Sequence, residues 1–116
     1  NYAEATLRGG SGGNAATALT YINLLRLRAY GNPTGSITAP QLTLGFILDE
    51  RARELHWEAV RRTDLIRYDQ FTSGTYLWQW KGGTQPGQAV SAHRNLYPIP
   101  SSDLVANPNL VQNNGY

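Results

Sequence analysis

LDERARELHWEAVRRTDLIRY, residues 48–68, carries ten of the chain's eighteen Asp, Glu, Lys and Arg residues between Asp49 and Arg67. Five are acidic (Asp49, Glu50, Glu54, Glu58, Asp64) and five basic (Arg51, Arg53, Arg61, Arg62, Arg67). On a helical wheel Leu48, Ala52, Leu55, Ala59 and Ile66 recur at spacings of four, three, four and seven, an apolar stripe that belongs against a core. Glu50, Glu54, Glu58 and Arg61 form a second stripe at four, four and three. Three carboxylates in one i,i+4 row repel one another, so the row needs neighbouring cations. Arg53 is in reach of Glu50 and Asp49, and Arg61 and Arg62 are in reach of Glu58. With Thr43 as N-cap, the pattern predicts one charged helix from Leu44 to about Tyr68.

What the stripe does is decided by the chemistry each reading needs. Glycoside hydrolysis uses two carboxyl groups, one kept protonated. Here every acid lies near an arginine that keeps it ionised. A di-iron site wants Glu-x-x-His, and the residue three before His56 is Arg53. His56-Trp57-Glu58 fits half of a zinc-deaminase motif, whose ligand cysteines do not exist in a chain without cysteine. His93 has no partner spacing for a catalytic triad. The reading that stands is a structural charge network, Glu50, Arg53, Glu54, Glu58, Arg61, Asp64 and Arg67, with no catalytic residue, no metal and no cofactor. Exposed pairs of this kind contribute only ~0.3–0.5 kcal/mol each. Removing one partner of a buried pair costs roughly 3–5 kcal/mol.

The 116 residues fit one domain, and an apolar fraction of 41% suits a globular chain. A net charge of +2 is too small for a nucleic-acid face, and no apolar run reaches membrane-spanning length. Asn1 opens the chain and methionine is absent, so residues 2–8 read as the end of a helix that starts further upstream. Gly9-Gly10-Ser11-Gly12-Gly13 stops it. Asn14 caps a second helix whose apolar face is Ala15, Ala18, Leu19, Ile22, Leu25, Leu27 and Ala29, with Gly31 and Pro33 as its stop. The pair, 1–30, forms a hairpin of the tetratricopeptide kind. Residues 31–42 read as loop. Tyr97-Pro98-Ile99-Pro100 is extended because each proline disfavours helix before it, and Ser101 is placed to cap one short turn.

TYLWQWKGG, residues 75–83, alternates Tyr76, Trp78 and Trp80 on one side of a short extended segment. Flat rings stack on the apolar face of pyranoses, while Gln79 and Lys81 offer polar groups for hydroxyls. The other reading is that the rings cover the end of a helical core.

Several stretches together resemble one family. ILDERARELHWEAVRRTDLIRY (47–68) is similar to the Glu-Arg-x-x-Glu-Leu…Glu-x-x-Arg…Asp-Leu-x-Arg helix of the SusD/RagB family. YPIPSSDLVANPNLVQNNGY (97–116) resembles its Pro-Ile-Pro…Asn-Pro-Asn-Leu…Gln-Asn-x-Gly-Tyr ending, and AEATLRGG with ALTYINLLRLRAYG its preceding helical pair. Asn114 stands where proline is common and Ala59 where glycine is frequent. The resemblance implies an all-α fold: a tetratricopeptide-like hairpin over 1–30, a long helix over 43–68, and a loop-rich segment over 69–116. Together these make the C-terminal portion of a larger domain. It implies a glycan-binding lipoprotein of the bacterial outer membrane, surface-exposed, that delivers glycans to a TonB-dependent (SusC-like) transporter. Such a protein is not an enzyme, and it meets the membrane only through a lipid anchor outside this chain. Glu50, Arg53, Glu54, Leu55, Glu58, Arg61, Asp64, Leu65 and Arg67 then mark the fold, while Tyr76, Trp78 and Trp80 are candidates for sugar contact. A helical-repeat module that binds protein is the alternative.

Overall fold

The computed structural model describes all 116 residues, which form helices, turns and loops and no strand. The chain divides into two compact units, Asn1–Ala59 and Val60–Tyr116. No helix is long and apolar enough to cross a membrane.

The first unit holds α1 (Tyr2–Leu7), α2 (Ala15–Tyr30), two short 3-10 turns (Pro33–Gly35 and Ala39–Gln41) and α3 (Leu44–Glu54). Its boundaries follow local chemistry. The Asn14 side chain accepts the Thr17 N–H and opens α2. Gly31, at φ 69°, closes that helix with its N–H on the Leu27 carbonyl. Thr43 opens α3 by accepting the Phe46 N–H. The predicted apolar face of α2 is only partly buried. Ala18 and Ile22 join Ala3, Ile37 and Ile47 in the core, with Leu7, Leu19, Leu42 and Phe46 packed on it. Leu25 and Leu27 remain exposed. Tyr2 fastens α1 to α2, its hydroxyl accepting the Asn14 N–H at 3.0 Å and its ring meeting Tyr21 edge-on.

The single helix expected over 43–68 is two helices. α3 ends at Glu54, and α4 (Arg61–Arg67) begins the second unit. Between them Trp57 and Ala59 adopt positive φ, 69° and 59°. No proline or glycine marks the break, so periodicity alone could not find it. Ala59, where the family resemblance leads one to expect glycine, carries the Cβ penalty of the left-handed region. An unbroken helix of that length would rise about 37 Å. The break instead lets the two charged halves meet different partners.

The second unit contains α4, two 3-10 turns (Lys81–Gly83 and Ala92–Asn95) and α5 (Ser101–Ala106). Leu65 is its one buried apolar residue; Asp64 and Lys81 are buried as well. Order comes from side chains that bind backbone. The Gln112 amide pairs with Ile99 in both directions, 2.8 and 2.9 Å, as a neighbouring strand would. Asn113 donates to the Tyr97 carbonyl at 2.7 Å and Tyr116 to the Leu96 carbonyl at 2.8 Å, tying the tail to residues 96–99.

Candidate functional site

The charged residues divide between the units. In the first, Glu50 is 7% exposed and its Oε2 accepts from Arg26 Nη1 at 2.8 Å and from Arg53 Nη2 at 2.6 Å. Arg26 also donates to the Gly35 carbonyl and lies over the rings of Phe46 and Tyr30, 5.4 and 5.2 Å from their centroids. Arg53 approaches the same Phe46 ring. Glu54 pairs with Arg28. Arg26 and Arg28 are the residues that reading the 48–68 stretch in isolation missed. Arg26 follows Ile22 by four, which puts it on the buried face of α2 and was the available signal. Glu58 lies past the end of α3 and is exposed; the helical spacing that would have set it beside Arg61 and Arg62 is absent.

In the second unit, Arg67 Nη2 donates to the buried Asp64 Oδ1 at 2.8 Å. Arg61 donates to the Tyr76 hydroxyl and covers its ring. Arg62 lies over Tyr97 and Phe71, at 3.8 and 4.9 Å, and donates to the carbonyls of Arg94 and Asn95 at 2.7 and 3.3 Å. A cation between two rings gains both quadrupoles, and its forked donors hold the turn above it.

The three aromatic candidates separate. No strand forms, and Trp80 has a left-handed backbone, φ 68°, so the expected alternation on an extended segment is replaced by a tight turn. Tyr76 is half-buried and engaged by Arg61. Trp78 is 40% exposed; Lys81 Nζ sits 4.6 Å from its ring centre, and Phe71 and Tyr76 pack at 6.3 and 6.5 Å. Trp80 is 66% exposed. Lys81, expected to offer its ammonium to a ligand, is 3% exposed and spends it on the carbonyls of Gln70, Ser73 and Tyr76. Burial pushes its pKa below the ordinary lysine value. Its role is to tie the loop before it into one turn. Gly87, at φ 80°, completes that turn: a Cβ there would stand 2.4 Å from the Trp78 carbonyl.

This turn walls a cleft of about 640 Å³ whose lining includes Trp78, Trp80, Gln88, Ser91, His93 and Arg94. A concave site of this size, lined by two indoles and several polar side chains, is large enough for a small ligand. The His93 ring packs edge-on against Tyr116 at 4.9 Å, so the tail supports the far wall. The first unit has a smaller hollow of about 300 Å³ near Ala3, Ile22, Leu25 and Glu54. The chain holds no cluster of three or more metal-ligating side chains.

The scaffold is helical and strandless, and its larger cleft is built from loops. The chain belongs to the SusD family: the family's sequence model matches residues 1–116. It is 46% identical over 95 residues to the starch-binding protein SusD of Bacteroides thetaiotaomicron, covering 82% of this chain and 16% of that protein. A SusD-like protein of Formosa agariphila is 34% identical over 108 residues, 87% of this chain and 20% of that one. Among solved structures, the surface glycan-binding protein A from Bacteroides thetaiotaomicron superimposes with a TM-score of 0.71 at 34% identity, over 97% of this chain and 22% of that one. The chain thus spans 16% to 22% of the length of these proteins.

Proposed function

We propose that this chain is the C-terminal portion of a surface glycan-binding lipoprotein of the outer membrane, which passes its saccharide to a TonB-dependent transporter. It binds its ligand and does no chemistry on it. The observation that carries the reading is the family match along the whole chain, joined to relatives whose names state starch and surface-glycan binding. Within residues 60–116, the sugar contact falls to the Trp78–Trp80 cleft. Trp80 is the stacking surface, because it alone of the three aromatics has a largely uncovered ring. The charged residues of α3 and α4 hold loops and helices in place.

Affinity electrophoresis of the protein at its full natural length through polysaccharide gels tests this. Retardation on at least one glycan, weakened about tenfold or more in Trp80→Ala with unchanged melting, is the expected result. The packed pair α1–α2 favours one other reading, a helical module that binds protein. Passage through every gel unretarded, alongside tight binding to a protein, establishes that reading instead.

A further inference from the structure

The net charge is unevenly placed. Residues 1–59 carry five basic and five acidic side chains, whereas residues 60–116 carry five basic and three acidic, so the chain's formal +2 lies wholly in the second unit. Those three acids are Asp64, Asp69 and Asp103, and none lines the cleft. Asp64 is buried and paired with Arg67.

The basic groups are almost all committed. Arg61 binds Tyr76, Arg62 binds the 94–95 carbonyls, Arg67 binds Asp64, and the Lys81 ammonium is enclosed by three carbonyls. Arg94 is the exception. It lines the cleft and is exposed, and its guanidinium has no acceptor within the chain. Its backbone, by contrast, is fixed: its N–H donates to Ser91 at 3.1 Å and its carbonyl receives Arg62 at 2.7 Å. A guanidinium on an anchored turn, in a cleft that an open indole also lines and whose wall holds no carboxylate, is built to meet an anion. Planar forked donors match carboxylate and sulfate oxygens in pairs.

We infer that the Trp78–Trp80 cleft selects an anionic saccharide, one carrying a uronate carboxylate or a sulfate ester, with Trp80 stacking on the sugar ring and Arg94 gripping the acid group. This rests on the glycan-binding reading above and deepens it. Ser91 and Gln88 are the neutral groups placed for hydroxyls. Lys81 Nζ, enclosed by its three carbonyls, backs the Trp78 ring and leaves the cleft's exposed cation to Arg94.

The test is isothermal titration of the full-length protein with three probes: a galacturonate oligosaccharide, a sulfated galactan oligosaccharide and a neutral malto-oligosaccharide. At low ionic strength at least one anionic probe binds about tenfold or more tighter than the neutral one, and added salt erodes the margin. Arg94→Gln removes that margin and leaves the melting temperature unchanged. The ratio between the two anionic probes separates carboxylate from sulfate. Equal or tighter binding of the neutral probe, or a margin that survives Arg94→Gln, overturns the anion selection. If neutral binding is nonetheless lost in Trp80→Ala, the cleft stands as a glycan site and only its charge preference falls. If Trp80→Ala alters no probe, the cleft itself is refuted.

Discussion

Residues 1–59 and 60–116 are of nearly equal length but are held together differently. The first unit, with three helices of which α2 and α3 are capped by side chains, buries six apolar residues, Ala3, Ala18, Ile22, Ile37, Ile47 and Leu48. The second buries one, Leu65, and relies on cations and amides that bind backbone carbonyls: Arg62, Lys81, Gln112 and Asn113. The difference teaches where a ligand site can be built. An apolar core makes a rigid body with little choice of surface. Loops fixed by polar side chains leave rings such as Trp80 outside, at the cost of needing every polar group satisfied.

The largest expected effect falls in the first unit. Glu50→Ala strands Arg26, whose side chain is only 12% exposed, and lowers stability by about 3 kcal/mol in urea denaturation. Glu58→Ala, on the same stripe, leaves the midpoint within error. Equal losses for both would mean that the stripe acts as one network across the break. Next, Lys81→Met leaves three carbonyls without their donor and costs about 2 kcal/mol. Amide exchange then accelerates in residues 70–90 and not in 1–59. Uniform acceleration along the chain would erase the contrast between the units.

Arg62→Ala removes a cation from two rings and two carbonyls, and is expected to destabilise by about 1.5 kcal/mol. It also weakens the cleft, because the Arg94 turn loses its anchor. A variant that melts normally and binds normally would show that the turn stands without Arg62. The smallest effect has the opposite sign. Ala59→Gly relieves a left-handed residue and raises stability by about 0.5 kcal/mol, after the greater freedom of glycine in the unfolded chain is counted. A loss of stability would mean that the Ala59 methyl makes a packing contact worth more than its strain.

Much of the first unit was legible because its signals are local. Asn14, Gly31 and Thr43 act on backbone groups within four residues of themselves, and Ala18 and Ile22 declare a buried face by spacing. The Arg53–Glu50 pair is likewise three residues apart on one helix. The motifs of 47–68 and 97–116 also carry the family, which the match over 1–116 shows. The candidate cleft was legible only as a list of aromatics. Which ring is open, which is clamped, and that Lys81 is enclosed depend on where Arg61, Phe71 and Gln70 arrive.

Caps and periodicity by themselves therefore determined where helices start and that ten charges gather beside Leu48 and Leu65, and the motifs of 47–68 and 97–116 carried the resemblance to the SusD family. Tertiary structure alone decided that the charged stretch breaks at 55–60, that Arg26 and Arg28 pair with Glu50 and Glu54, and that Trp80 and Arg94 line the same cleft. The physical reason is range. A cap or a helical face is set by groups a few residues apart, whereas a break without glycine or proline, or an arginine's choice of carboxylate, is set by atoms that meet only once the chain has folded.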